Sequence, residues 1–160
     1  MKVILGGDLF EYMSKTDAVM HQVNCRGVMG GGIAALIKSR YFKHFEDYIS
    51  HINSVVEDKK HPLGTYVVSS FPGQSDIVGV FGQDSYSHDG VATVYSALEK
   101  SIKDAVVKNK YKKIAVPYNI GCDLAGGDWT VVSEILERIE NETGVSIIVC
   151  DIHNASVEGE

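Results

Sequence analysis

The amino-acid sequence predicts an α/β fold in which helices cover a central mixed, mostly parallel sheet of about six strands. Short apolar runs alternate along the chain with segments of helical periodicity, as they do in α/β proteins. The runs at 3–5, 114–116 and 147–149 lack polar alternation, as expected of strands covered on both faces. The chain has 160 residues and no repeat or linker, which predicts one domain over 1–155 followed by a flexible tail at 156–160.

Strands are predicted at residues 2–5, 18–24, 65–70, 77–81, 113–117 and 145–151. A helix is predicted from about Gly31 to Arg40, and three more where apolar residues recur at steps of three and four. These apolar stripes are Phe42, Phe45, Ile49, Ile52 and Val56; Val94, Leu98, Ile102 and Ala105; and Val132, Ile135, Leu136 and Ile139. Asp128 is placed to cap the last helix, and Gly144 to end it.

Composition excludes several classes of function. A formal net charge of -6 argues against general nucleic-acid binding, which needs a basic face. The three cysteines are widely spaced without a C-x-x-C pair, which favours reduced thiols and a cytoplasmic location. No apolar run approaches the length of a membrane span, and we expect a monomer. No histidine pair has zinc-motif spacing, so we predict neither a metal nor a cofactor.

The histidines differ in their expected environments. His21 lies within a predicted strand, three residues before Asn24, and we expect it in the core. His44 and His51 flank the apolar stripe of a predicted helix, and we expect both at the surface. His61 precedes a proline in a loop. His88 is the histidine that we expect nearest to a functional site.

The first glycine loop, at 24–33, joins a predicted strand to a predicted helix and contains Gly30, Gly31 and Gly32 in succession. Glycine costs about 1 kcal/mol against alanine inside a helix, so three together need a reason. At a helix N-terminus they would leave backbone N–H groups open to a phosphate. A flexible turn packed against a neighbouring strand is an equally good explanation of this segment alone.

The second glycine loop, at 118–129, repeats the arrangement of strand, glycine-bearing loop and helix start. Ligands of α/β sheets bind where strands end and loops lead into helices. Two such loops could clasp a diphosphate from both sides, which would let an acidic protein bind an anion. Neither loop has the G-K-[ST] of a P-loop or the G-x-G-x-x-G of a dehydrogenase, so we rank a dinucleotide-dependent dehydrogenase far lower.

Three segments, in this order, resemble the macro domain family. The sequence GGDLF at 6–10 resembles the family's G-D-[IL] after the first strand. The sequences NCRG at 24–27 and MGGGIA at 29–34 resemble its first phosphate loop, and IGC at 120–122 with GGDW at 126–129 resembles its second. The resemblance spans about 2–151 and is closest to stand-alone ADP-ribose-1''-phosphate phosphatases and terminal ADP-ribose glycohydrolases. It implies a three-layer α/β/α fold.

The resemblance also implies site residues. Asp8 would accept a hydrogen bond from the adenine amino group, with Leu9 in the adenine pocket and Ile152 and His153 nearby; a helix cap is the alternative for Asp8. Asn24 would position the distal ribose. The two sides of the diphosphate would be held by Met29, Gly30, Gly31, Gly32 and Ile33 and by Ile120, Gly121, Cys122, Asp123 and Leu124.

Two departures from the family pattern bear on catalysis. The deacylating glycohydrolases pair a lysine before the third helix with an aspartate in the second loop. This chain has no lysine between Gln83 and Thr93, and Ala125 occupies the position of that aspartate. Asp123 stands where glycine is common, either as a base or as a loop cap facing the solvent. The catalytic candidates are therefore Asn24, Asp123 and His88.

The sequence thus predicts ADP-ribose binding and hydrolysis of ADP-ribose-1''-phosphate to ADP-ribose and phosphate. One alternative is an ADP-ribosyl hydrolase that acts on ADP-ribosylated macromolecules. Another is a non-enzymatic module that binds ADP-ribose or a related NAD derivative.

Overall fold

The computed structural model describes residues 1–86, 91–122 and 125–151, and a six-stranded sheet lies at its centre. The strands are β1 (Lys2–Leu5), β2 (Ala18–Gln22), β3 (Tyr66–Ser69), β4 (Asp76–Val80), β5 (Lys113–Pro117) and β6 (Ser146–Asp151). Their order in the sheet is β1-β6-β5-β2-β4-β3. All neighbours run parallel except the edge strand β3, which is antiparallel to β4. The predicted mixed, mostly parallel sheet is confirmed.

Helices cover both faces of this sheet. They are α1 (Gly32–Arg40), α2 (Phe42–Glu57), α3 (Tyr95–Asn109) and α4 (Trp129–Thr143), with a 3-10 helix at Leu9–Ser14. Strand β2 shows the layering, because its side chains alternate between the faces. Ala18 and Met20 pack with α3 and α4, whereas Val19 packs with Ile37 of α1 on the other side. The fold is therefore the three-layer α/β/α arrangement that was predicted.

Helices α3 and α4 bury the stripes read from the sequence, except for Val94, which is the N-cap residue of α3 and is exposed. Leu98, Ile102 and Ala105 of α3 are fully buried. All four stripe residues of α4 are buried as well. Asp128 caps α4 by accepting a hydrogen bond from the Thr130 N–H at 2.8 Å, and Gly144 ends it in the left-handed conformation at φ 78°. Both cap predictions are confirmed.

Helix α2 differs from its prediction. Phe42 and Val56, the ends of the predicted stripe, are 54% and 57% exposed, and the buried residues of α2 are His44 and Tyr48. The surface position predicted for His44 is wrong. Its imidazole is buried against the sheet, where it has two polar partners: His21 Nε2 at 2.9 Å and Ser69 Oγ at 2.7 Å. The hydrophobic pattern alone could not find this, because the helix turns its polar aromatic side chains to the sheet.

The other histidines divide similarly. His21 is fully buried as predicted, but only its Nε2 has a hydrogen-bond partner. His51, predicted at the surface, is half-buried, because its Nε2 bonds the Thr65 hydroxyl at 2.8 Å and its ring packs against Phe81.

His88 lies outside the described residues, as do Asp123, Leu124, Ile152, His153 and the predicted tail at 156–160. The domain limits therefore stay a prediction. None of the helices in the described ranges is long and apolar enough to cross a bilayer.

Candidate functional site

A cleft of about 480 Å³ opens where β2, β5 and β6 end, between the two glycine loops. This is the edge of a parallel sheet at which α/β proteins bind ligands. Its walls combine the first loop and α1, the second loop, the end of β6, and a segment that follows β4. The lining residues are Gln22, Val23, Asn24, Val28, Gly30, Gly31, Gly32, Ile33, Ala34, Leu36, Gln83, Tyr86, Pro117, Tyr118, Asn119, Ile120, Gly121, Ala125, Cys150 and Asp151.

The first glycine loop presents the open N-terminus of α1 to this cleft. Gly31 is the N-cap residue, and no side chain caps the helix. Among the described residues, no hydrogen bond uses the N–H of Gly31, Gly32 or Ile33. These donors also lie at the positive end of the helix dipole. Helix N-termini with open donors of this kind bind anions in other proteins.

Asn24 lies at the base of the first loop with 8% of its surface exposed, and its amide is mostly committed within the protein. Its Nδ2 donates to the Val28 carbonyl at 2.8 Å, and its Oδ1 accepts from the Arg26 N–H at 2.9 Å. An amide has two N–H donors, so one remains for a ligand. Asn24 can therefore offer a bound sugar a single hydrogen bond, as a donor.

Tyr48 anchors the same loop from below, and sequence reasoning gave it no role. Its hydroxyl hydrogen lies within reach of both Asn24 O, at 2.7 Å, and Asn24 Oδ1, at 2.8 Å, while its oxygen accepts from the Gly27 N–H at 3.1 Å. Burial raises the pKa of Tyr48 to about 12, so the hydroxyl keeps its proton. Tyr48 lies one helical turn after His44, on the same inner face of α2. The sequence did not reveal it as buried because that inner face was predicted wrongly.

Three N–H groups in the described part of the second glycine loop are bonded within the protein. Ile120 donates to Pro117 O at 3.1 Å, Cys122 to Asn119 O at 2.7 Å, and Gly127 to Gly121 O at 2.9 Å. The N–H of Cys122 is thus not open to a ligand in this conformation. Gly121 and Ile120 line the cleft, whereas Cys122 does not. This loop forms a wall of the cleft more than a cluster of donors.

The end of the cleft next to β6 carries Cys150 and Asp151. Asp151 is 2% exposed, and the sequence analysis named only its neighbour Ile152. Burial raises the pKa of the Cys150 thiol to about 12, and the charge of Asp8 adds to the effect, so Asp8 lies near this end. Asp8 is not part of the lining. Its Oδ1 accepts from the Phe10 N–H at 3.0 Å and caps the 3-10 helix, which leaves its other oxygen for a ligand.

The remaining proposed binding residues lie behind the lining. Leu9, the first residue of the 3-10 helix, is buried in a cluster with Ile37 and Cys150. Met29 is buried in a cluster with Tyr48 and Phe81. Both support the walls of the cleft from inside. Gln22, Gln83 and Tyr86 line the cleft without having been assigned a role from the sequence.

One group of side chains has a composition that could hold a metal ion. Cys25, His61 and Asp84 place a sulfur, a ring nitrogen and a carboxylate oxygen within 4.8 Å of one another. Their contacts are already satisfied within the protein. Asp84 pairs with Arg26 at 2.9 Å, and His61 Nδ1 accepts from the Leu63 N–H at 3.1 Å. A metal-bound histidine normally donates from its second nitrogen, so this geometry does not favour an ion, and the absence of a metal stays a prediction.

Comparison with known proteins adds three relatives. The chain is 26% identical over 148 residues to an ADP-ribose 1''-phosphate phosphatase of Meyerozyma guilliermondii, covering 89% of this chain and 77% of that protein. The structure of this chain is similar to the macrodomain of Mycobacterium tuberculosis DarG, with a TM-score of 0.75 and 23% identity. The similarity covers 93% of this chain and 97% of that one. The structure is also similar to Thermosipho africanus DarTG in complex with ADP-ribose, with a TM-score of 0.70 and 20% identity, over 94% of this chain and 41% of that one.

The two structural likenesses establish the fold. The family itself follows from the sequence, since the family model for the macro domain matches residues 20–136, most of the chain. That stretch contains both glycine loops, with α1 and β5 complete and the adjoining parts of β2 and α4. The chain therefore belongs to the macro domain family.

Proposed function

We propose that this chain binds ADP-ribose and hydrolyses ADP-ribose-1''-phosphate to ADP-ribose and phosphate. The observation that carries the proposal is the uncapped N-terminus of α1, whose free N–H groups at Gly31–Ile33 line a cleft with room for a nucleotide. The described lining contains no lysine, arginine or histidine. Backbone donors and the helix dipole must therefore supply the attraction for a diphosphate.

In this proposal the adenine lies toward Asp8 and Asp151, and the distal ribose lies toward Asn24. The remaining N–H of Asn24 donates to a ribose hydroxyl and fixes the orientation of the terminal phosphate. A water oxygen attacks phosphorus, the bond from phosphorus to the ribose oxygen breaks, and that oxygen takes a proton. Orientation and donors aimed at the developing charge supply the acceleration. Asp123 is the proposed base, with His88 as the alternative.

The comparisons support this proposal at a coarse level. The 26% identical relative is an ADP-ribose 1''-phosphate phosphatase, and the Thermosipho structure holds ADP-ribose. Two of the three thiols, Cys25 and Cys150, offer no competing nucleophile. Burial raises the pKa of both Cys25 and Cys150 to about 12, so each stays protonated and unreactive.

A second candidate is release of ADP-ribose from modified macromolecules. Ala125 lines the cleft where the deacylating enzymes resembled here would have an aspartate, which disfavours a lysine-adduct route. Attack by water stays open for this chemistry. A third candidate, a binding module without turnover, is favoured by the absence of a cationic or imidazole side chain among the described lining residues.

Two measurements on the purified protein separate these candidates. Isothermal titration with ADP-ribose tests binding, and we expect a saturable heat. Incubation with ADP-ribose-1''-phosphate, followed by chromatography, tests turnover, and we expect ADP-ribose and phosphate. Binding without product would favour the module, and product only from an ADP-ribosylated protein or nucleic acid would favour the second candidate. No heat with ADP-ribose would refute all three.

Asn24→Ala tests the role of the amide. We expect phosphate release to fall by about 100-fold, because a donor that orients the reacting group is lost, while ADP-ribose affinity changes by less than about tenfold. Asn109→Ala is the matched control, since it removes a similar bond, Nδ2 to Ala105 O at 2.8 Å, at the end of α3. Unchanged release by Asn24→Ala would remove Asn24 from the mechanism.

A further inference from the structure

A chain of side-chain hydrogen bonds runs from β2 to the second glycine loop and is separate from any contact proposed for substrate. Gln22, the last residue of β2, donates from Nε2 to Gln83 Oε1 at 2.8 Å and to Thr93 Oγ1 at 3.0 Å. Thr93 then donates from Oγ1 to the Gly121 carbonyl at 2.5 Å. The chain thus links the centre of the sheet to the wall of the cleft.

The direction of each bond is fixed by its neighbours. Gln83 Nε2 donates to the Ser85 carbonyl at 2.7 Å, so its Oε1 is turned toward Gln22 as an acceptor. Gln22 must therefore present its amide nitrogen there. Because Thr93 Oγ1 accepts from that nitrogen, its one hydrogen is left for Gly121 O. The Thr93 hydroxyl therefore donates its single hydrogen to the Gly121 carbonyl.

The Gln22 amide packs closely against two glycines. Among the described residues its Oε1 has no hydrogen-bond partner, and it lies in the space where side chains on these glycines would be. A Cβ on Gly82 would stand 2.2 Å from that oxygen, and a Cβ on Gly121 would stand 3.1 Å from it. With the oxygen in this position, the amide nitrogen is directed to Gln83 and Thr93.

The Gly121 carbonyl needs such an anchor. Gly121 has φ 76°, and glycine adopts left-handed and right-handed conformations with similar ease, so the peptide that follows it can rotate. Three bonds oppose this rotation: the Thr93 hydroxyl and the Gly127 N–H, at 2.9 Å, hold the carbonyl, and the Cys122 N–H of the same peptide donates to Asn119 O at 2.7 Å. Gly121 lines the cleft, so a carbonyl oxygen turned toward the cleft would repel a phosphate through its partial negative charge.

We propose that Gln22 and Thr93 are positioning residues that hold the Gly121 carbonyl away from a bound pyrophosphate. This rests on the proposed function, because it concerns the same cleft. Thr93 is not among the described lining residues, whereas Gln22 is, and in this account both act through the Gly121 carbonyl. They act by keeping the second loop in the one orientation that an anion tolerates.

The main test is Thr93→Val, which keeps the shape of the side chain and removes the hydroxyl. We expect the affinity for ADP-ribose, measured by titration calorimetry, to fall about tenfold, with Thr93→Ser restored to within about twofold of the wild type. Adenosine, which has no phosphate, should bind both variants as it binds the wild type when measured by ligand-observed NMR. Thr143→Val is the matched control, since it removes a hydroxyl that donates to Ile139 O at 2.6 Å, far from the cleft.

Two results for adenosine and ADP-ribose would contradict the proposal. A purely structural role would weaken adenosine and ADP-ribose in the same proportion, or would leave both unchanged, and either result overturns the proposal. If Thr93→Val does not fold, Gln22→Met removes the donor to Thr93 and should lower ADP-ribose affinity by about threefold, again without an effect on adenosine. A wild type that fails to bind ADP-ribose refutes the proposed function as well, whereas wild-type binding with no loss in either variant refutes this inference alone.

Discussion

The two glycine loops face each other across one cleft but are held in opposite ways. In the first, the N–H groups of Gly31–Ile33 have no partner within the described chain, and α1 begins without a side-chain cap. In the second, the N–H groups of Ile120, Cys122 and Gly127 all donate to carbonyls of the loop. The two loops therefore have similar glycine content but differ in how their N–H groups are bonded.

The difference lies in what glycine provides at each place. In the first loop it keeps side chains away from open donors. In the second it allows close packing, because a Cβ on Gly127 would stand 2.5 Å from the Gly121 carbonyl oxygen. In the described residues, the first loop therefore presents open donors, whereas three N–H groups of the second loop are already bonded.

The largest expected effect comes from giving α1 the cap that it lacks. Gly31 has an extended conformation, φ −143° and ψ 159°, which any residue adopts, so Gly31→Asp introduces no backbone strain. Its carboxylate should bond the free N–H groups and repel phosphate. We expect ADP-ribose affinity to fall by at least about 100-fold while thermal unfolding shifts upward, as caps contribute about 1 kcal/mol.

Gly31→Ser sharpens that test, because a hydroxyl caps the helix without charge. Its affinity loss should be smaller than that of Gly31→Asp. Equal binding by all three proteins would show that the donors of the first loop do not hold the ligand.

A second comparison uses two glycines with the same backbone conformation. Gly32 has φ 56° and Gly73 has φ 71°, and a Cβ on either meets nothing within 4 Å. Alanine at each should cost about 1 kcal/mol through backbone strain alone. Only Gly32→Ala should also weaken ADP-ribose binding, by about tenfold, because Gly32 lines the cleft. Calorimetry and urea unfolding of both variants check this, and a matching affinity loss in Gly73→Ala would contradict it.

The two faces of the sheet should respond differently to pH. The face toward α2 holds His21 and His44; burial lowers the pKa of His44 to about 4, and burial with the His44 charge lowers that of His21 well below 6.5. As the pH decreases below about 6.5, the unfolded chain binds protons that the folded chain excludes. The unfolding free energy should therefore fall by about 1.4 kcal/mol for each histidine with every unit by which the pH decreases. Above that pH both states are neutral and this contribution is constant.

Urea unfolding over this range measures the slope, with His44→Gln and His61→Gln compared with the wild type. His61 is exposed and is the control. A His44→Gln variant with the wild-type slope would exclude the buried pair as its source.

The smallest expected effect concerns the cap of α4 beside the second loop. Asp128→Ala removes the bond to the Thr130 N–H and should lower the unfolding free energy by about 1 kcal/mol. Because this loop offers few donors, ADP-ribose affinity should change by less than about twofold. A larger loss would mean that the second loop binds the anion directly.

Most of the fold could be predicted because its signals are local. All six strands, four helices and both caps of α4 follow from apolar runs, periodicity and glycine placement. The 3-10 helix at Leu9–Ser14 escaped because it is short and has no stripe. Helix α2 was misjudged because His44 and Tyr48 turn inward for polar partners 23 to 25 residues away in sequence, and no local pattern encodes those partners.

The site divides in the same way. Both glycine loops were found from the sequence because strand, glycine and helix follow one another. Gln22, Thr93 and Tyr48 were not found, because each acts through contacts with distant segments. For Gln22, the signal that the sequence offered was a polar residue at the end of an apolar strand.

The protonated thiol in the wall of the cleft has a consequence for handling and for damage. Burial raises the pKa of the Cys150 thiol to about 12, so very little of it is ionised at neutral pH. Peroxides and alkylating reagents react with the thiolate, so we expect them to modify Cys150 only slowly. The part of the cleft wall that contains this cysteine should therefore keep its shape under oxidative conditions that would inactivate an enzyme relying on a reactive sulfur.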